Sequence, residues 1–133
     1  MAFLLLILFC LNFQEAKTLK DFQWERRVLV LFDFKSLNDR GEELEKQIKE
    51  RRLLVVQFEG EKLIGISEEF EINNPSFLSL KQVNPSSSKW YLIGLDGGVK
   101  ASGHSDNFDW EWIFRKIDSM PMRQSEIRNG VKN

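Results

Sequence analysis

An α/β fold built around a mixed central sheet is predicted by three stretches of this sequence. Arg27-Val-Leu-Val-Leu-Phe-Asp-Phe34 and Leu53-Leu-Val-Val-Gln-Phe58 are nearly continuous apolar runs, the pattern of strands covered on both faces. Between them Leu37, Leu44 and Ile48 fall on one helical stripe, so the three segments read as a β-α-β unit with parallel strands and a right-handed crossover. Further on, Trp90-Tyr-Leu-Ile-Gly-Leu-Asp-Gly-Gly-Val99 carries a strand into a tight reversal, which imposes antiparallel pairing on the strand that returns. The chain of 133 residues has room for one such domain with a real core and not for two.

Taken in order, the elements have local reasons. After a linker over 15–21, the strand at 27–34 is followed by Asn38 and Asp39, both N-cap residue types, and Asp39 with Glu42 resembles a capping box for a helix ending near Arg52. The second strand follows at once over 53–58. The stretch 59–88 is less patterned: Asn74 caps a short helix with Pro75 at its first position, carrying Phe77, Leu78 and Leu80, and Asn84-Pro-Ser-Ser-Ser88 is a loop. The third strand runs over 89–95, Asp96-Gly97-Gly98 supplies positive-φ residues, and 99–102 returns. Asp106 or Asn107 then caps the last long helix, on which Trp110, Ile113, Phe114 and Ile117 occupy positions i, i+3, i+4 and i+7. Pro121 ends that helix or starts a further turn, and the chain frays after about residue 128.

Ahead of the domain, Phe3-Leu-Leu-Leu-Ile-Leu-Phe-Cys-Leu11 is too short an apolar run to span a bilayer and has the length of a signal-peptide core. A signal peptide over 1–16 is therefore expected, with 17–133 as a single exported domain, periplasmic or secreted, and no transmembrane helix in the mature chain. The competing reading is a buried first strand, since no Lys or Arg precedes the run and bulky Gln14 lies three residues before a cut after Ala16. Cys10, the only cysteine, lies inside the run. Lipid modification there would want a small residue at position 9, where Phe9 stands. Ordinary cleavage leaves no thiol and no disulfide, so the core must supply the stability. Residues 1–16 contain one charged side chain, Glu15, and their removal takes the formal net charge from −1 to 0. A neutral domain exerts no general pull on nucleic acid, and the basic residues of 46–52 are interspersed with Glu50 as on a solvated helix face.

The order β-α-β, short helix, β-β-α is the thioredoxin-like order. Gly94, Asp96-Gly-Gly-Val-Lys100, Ile117-Asp118, Met120-Pro-Met-Arg123 and Glu126 resemble a family of small domains labelled only as of unknown function. That family is found in short exported bacterial proteins and as a module in vertebrate sushi-repeat and extracellular-matrix secreted proteins. Trp24 to Phe34 is similar to its opening, where an aromatic residue and a basic pair precede an apolar strand. The resemblance implies a thioredoxin-like fold, no catalytic residues, and a binding or adhesion-associated role with a protein or surface component as partner.

The chemistry of redox-active thioredoxin-like domains needs a cysteine in the loop after the first strand. Here that loop is Asp33-Phe-Lys-Ser-Leu-Asn38, which contains none, so cysteine-dependent oxidoreductase activity is excluded for the mature chain. Ser36 would need a base, and the single histidine, His104, lies in a distant segment. One histidine and no cysteine give a soft transition metal no ligand set; Asp96, Asp106 or Asp109 could in principle serve a hard cation, but no twelve-residue calcium-loop pattern is present, and neither a metal nor another cofactor is expected. Three weak binding candidates remain. Asp33 stands at a strand end where α/β sheets bind ligands, though a turn carboxylate is the plainer account. Arg123 is either an anion contact or a tether pairing with Asp118 or a helix end. Trp112 lies off the core stripe and either anchors a partner or covers a loop. The reading favours a binding module; its rival is an enzyme with a non-thiol site at Asp33 to Asn38.

Overall fold

The computed structural model describes residues 15–34, 41–83 and 89–130. The predicted signal peptide through residue 14, with Cys10, lies outside the described residues, as do Ser36, Leu37, Asn38, Asp39 and the loop at 84–88. No helix among the described residues is long and apolar enough to cross a membrane.

A 3-10 turn at Leu19–Phe22 leads into β1 (Arg27–Phe32), α1 (Glu42–Glu50), β2 (Leu53–Glu59) and β3 (Lys62–Ile66). Two short helices follow, α2 (Asn74–Leu78) and α3 (Leu80–Val83), then β4 (Trp90–Ile93), β5 (Val99–Gly103), α4 (Trp110–Asp118) and α5 (Pro121–Arg128). The five strands form one mixed sheet in the order β3-β2-β1-β4-β5. β1 runs parallel to β2, with Val30 opposite Val56, and antiparallel to β4, with Leu29 opposite Leu92. β3 and β5 close the edges as antiparallel partners of β2 and β4.

Because side chains alternate along a strand, β1 divides the core in two. Val28, Val30 and Phe32 join Leu54, Val56, Phe58 and Tyr91 on one face, covered by Phe22 of the 3-10 turn and Phe77 of α2. Leu29 and Leu31 join Val55, Trp90 and Leu92 on the other, covered by Ile48 of α1 and by Ile113, Phe114 and Ile117 of α4. Thus α1 and α4 share one layer and α2 lies on the other.

Three helix starts differ from the sequence expectation, and one strand is added to it. α1 begins at Glu42 with Gly41 as its N-cap and no side-chain cap, so the box from Asp39 does not start it. Asn73, not Asn74, caps α2, because its Oδ1 is the acceptor that reaches the Ser76 amide at 3.1 Å. Residues Ser105–Asn107 form a separate 3-10 turn, and α4 is capped by Asp109, whose Oδ1 accepts from the Glu111 amide at 3.2 Å. β3 has no counterpart in the prediction: it is a half-buried edge strand reached through Gly60 at φ +59°. Pro121 starts α5, the second of the two readings its position allows.

Candidate functional site

The three sequence candidates fall at two ends of the sheet. Asp33 follows the C-terminal end of β1, where the backbone turns to φ +59° and strand pairing stops. Its Oδ1 accepts from the Gly60 amide at 2.8 Å and its Oδ2 lies 3.6 Å from Lys89 Nζ. The Gly60 hydrogen bond holds the carboxyl below the usual range; partial burial opposes this, and Lys81 and Lys89 reinforce it. Asp33 thus ties the β2–β3 turn to β1. The rest of its loop, 35–40, lies outside the described residues.

Trp112 is at the same end. It is 42% exposed on α4 and meets the edge of Trp90 at 6.0 Å between ring centroids. Trp90 also meets Phe108 at 5.9 Å, Phe108 meets Phe34 at 5.3 Å, and the Trp90 indole donates to the His104 carbonyl at 3.0 Å. Trp112 is therefore the outer member of an aromatic cluster, covering Trp90 while showing part of its ring to solvent.

Arg123 lies at the other end, roughly 17 Å away along the six residues of β1. Its Nε donates to Asp118 Oδ1 at 3.0 Å and its Nη1 to the Glu50 carbonyl at 3.2 Å. Arg51 makes a bidentate pair with the same carboxylate, at 3.1 and 2.8 Å, and lays its guanidinium on the Phe114 ring at 4.5 Å. Arg27, fully buried, donates Nη1 to the Arg51 carbonyl at 2.9 Å and Nη2 to Glu126 Oε2 at 2.8 Å. Three arginines and two carboxylates thereby join β1, the α1–β2 turn, α4 and α5. Burial pushes the Asp118 carboxyl up, but the hydrogen bonds from Arg51 and Arg123 outweigh it and leave the group below the usual range.

Beside this network a cleft of about 390 Å³ opens between the β4–β5 turn and the α4–α5 junction. Leu95, Met120, Pro121 and Met122 give it apolar walls, Lys100 and Lys116 add cations, and Asp96, Ser119 and Arg27 complete the lining. Asp96 accepts from the Gly98 amide at 3.0 Å and from Lys100 Nζ at 2.8 Å, so its carboxylate closes the turn and neutralises Lys100. The Lys100 bond, with the Gly98 amide next, holds the Asp96 carboxyl low. Larger clefts of about 420 and 630 Å³ lie against the 3-10 turn and along α1. Asp33 lines none of the three.

Two features of this end escape the sequence reading. Arg27 reads as the charged flank of a strand, yet it stands in phase with Leu29 and Leu31 and hence on a helix-covered face; that phase is the signal that marks it. Lys116 follows the core stripe of α4 and carries no sequence signal. Among the described residues no three His, Cys, Asp or Glu side chains are placed to hold a metal ion.

In comparisons with known proteins, residues 18–126 match a family described as "Domain of unknown function (DUF4174)". No curated protein and no solved structure matches the chain.

Proposed function

Since the chain belongs to the DUF4174 family, a domain of unknown function, we propose that it is an exported, non-redox binding domain of thioredoxin-like fold whose ligand sits in the cleft at the α4–α5 junction. The neighbour order β2-β1-β4-β5, with one parallel and two antiparallel pairings, supports the fold reading. So does the placing of α1 and α4 on one face and α2 on the other. Export is supported by the apolar run at Phe3 to Leu11 and by a family match that begins just past the expected cleavage point. Protein N-terminal sequencing of exported material is expected to begin near Lys17; a chain retaining Met1 overturns the export claim.

The observation that carries the binding reading is the divided use of Met120-Pro-Met-Arg123. Its arginine is consumed by the ion-pair network, whereas Met120, Pro121 and Met122 are left lining a cleft. Asp33, by contrast, is engaged by the Gly60 amide and Lys89. A library of small fragments titrated into the 15N-labelled protein tests this. Amide shifts gathered at 95–100 and 119–123 are expected; shifts gathered around Asp33 and Phe34 instead overturn the cleft reading in favour of the enzyme alternative.

A further inference from the structure

We infer that the cleft takes a small carboxylate ligand bearing an aliphatic group, an inference that rests on the cleft being the binding site. Charge is the first reason. Asp96 cancels Lys100 across 2.8 Å, but Lys116 has no ion-pair partner among the described residues. The network behind the wall holds Arg27, Arg51 and Arg123 against Asp118 and Glu126, leaving one positive charge uncompensated within it. Arg27, the member of that network that also lines the cleft, is fully buried, and its Nε has no hydrogen-bond partner among the described residues. The positive field of Lys116 and of the uncompensated network charge favours an anion there.

The start of α5 is the second reason. Its N-cap is Met120, which has no side-chain acceptor, and the first amide taken up by the helix is that of Gln124, donating to the Met120 carbonyl at 2.9 Å. Pro121 has no N–H, so the Met122 and Arg123 amides are left without helical acceptors. Met122 lines the cleft, so the amide end of α5 borders the space a ligand would fill.

The walls supply the third reason. Leu95, Met120 and Pro121 offer an apolar surface, and methionine adapts its shape to an aliphatic group; of the two acceptor side chains in the lining, Asp96 is engaged by Lys100 and the Gly98 amide and Ser119 donates to the Lys116 carbonyl. The volume of 390 Å³ suits a small molecule and not a folded partner. A monoanionic head meets Lys116 and the α5 amides with both oxygens, whereas a phosphate dianion would press further charged oxygens against the methionines.

Titration of the 15N-labelled protein with octanoate, N-acetyl-leucine and octanamide tests the inference. Both carboxylates are expected to shift amides at 95–100 and 119–123 and to bind about 10-fold more tightly than octanamide. Lys116→Gln, a half-buried helix position, is expected to remove most of that advantage while leaving the spectrum folded. Octanamide binding as tightly as octanoate at the same amides overturns the carboxylate inference and leaves the cleft as the binding site. Amide shifts from fragments at the cleft, but none from either carboxylate, also overturn the inference alone. A blank cleft in both experiments overturns the two readings together.

Discussion

Arg27 at the start of β1 and Glu126 in α5, separated by 99 positions in sequence, form a bidentate ion pair with Nη2–Oε2 at 2.8 Å and Nη1–Oε1 at 3.4 Å. The guanidinium is wholly buried and the carboxylate side chain is 13% exposed. Removing Glu126 leaves the buried guanidinium without its carboxylate. Glu126→Ala is expected to lower unfolding free energy by about 3 kcal/mol, read from urea denaturation. Pairing Glu126→Leu with Arg27→Met is expected to recover most of the loss, because the double change removes both charges and refills the space. A double variant as unstable as Glu126→Ala contradicts this account.

Asp118 makes stability depend on acid. Its carboxyl, though raised by burial, is held low in the folded state by Arg51 and Arg123. The ionised group therefore stabilises the fold fully above the unfolded value of about 4, and that contribution fades as pH falls through the lower folded value. Melting temperatures measured by circular dichroism between neutral pH and pH 3 should fall for the natural chain. Asp118→Asn should start lower and show a shallower decline below about pH 4; parallel curves would show that the carboxylate contributes nothing.

Gly103 has no room for a side chain. A Cβ there would lie 2.8 Å from Trp90 Cζ2 and 2.8 Å from Asn107 Oδ1, and the Trp90 ring is held between Phe108 and Trp112. Gly103→Ala is expected to cost about 1–3 kcal/mol in chemical denaturation. Gly41, with nothing within 4 Å of its Cβ position and φ −61° as N-cap of α1, is the opposite case. Gly41→Ser should stabilise by about 0.5 kcal/mol, through a capping oxygen and a less flexible unfolded chain.

Asp33 serves the turn it sits in. Asp33→Asn keeps an acceptor for the Gly60 amide and a residue type that tolerates positive φ, so thermal stability should change little. Asp33→Ala loses both and should melt measurably lower, by an amount corresponding to about 1–2 kcal/mol. An Asn variant as unstable as the Ala variant would show that the charge itself, through Lys89, is what matters.

The readable parts of this fold are those in which one periodicity dominates. β1 and β2 are covered on both faces and so spell themselves out as apolar runs, and Ile113, Phe114 and Ile117 give α4 away by spacing alone. β3 does not show because an edge strand is only half-buried, and its five residues Lys62–Ile66 set Leu63 beside Ile64 and then Gly65, which is neither an alternation nor a continuous apolar run. Its best clue is Gly60 just before it. The α4 cap was displaced by two or three residues because Ser105, Asp106, Asn107 and Asp109 are all capping types; only the acceptor's reach to the Glu111 amide separates them.

The candidate site was legible in part for a related reason. Met120-Pro-Met-Arg123 stands out locally, and its pairing with Asp118 lies within helical reach. Arg27 with Glu126 is a tertiary match between the two ends of the domain, and no local pattern announces it. The cleft depends on that match, since Arg27 belongs to its lining and α5 is held in place by Glu126.

A ribosome delivers a chain from one end, and that gives the long-range pair a meaning in time. Arg27 emerges about a hundred residues before its counter-charge. Until Glu126 arrives, seating the start of β1 would bury a cation with no carboxylate to meet it. The buried pair can therefore form only once α5 has been delivered, so the last segment made is the one that neutralises the first strand.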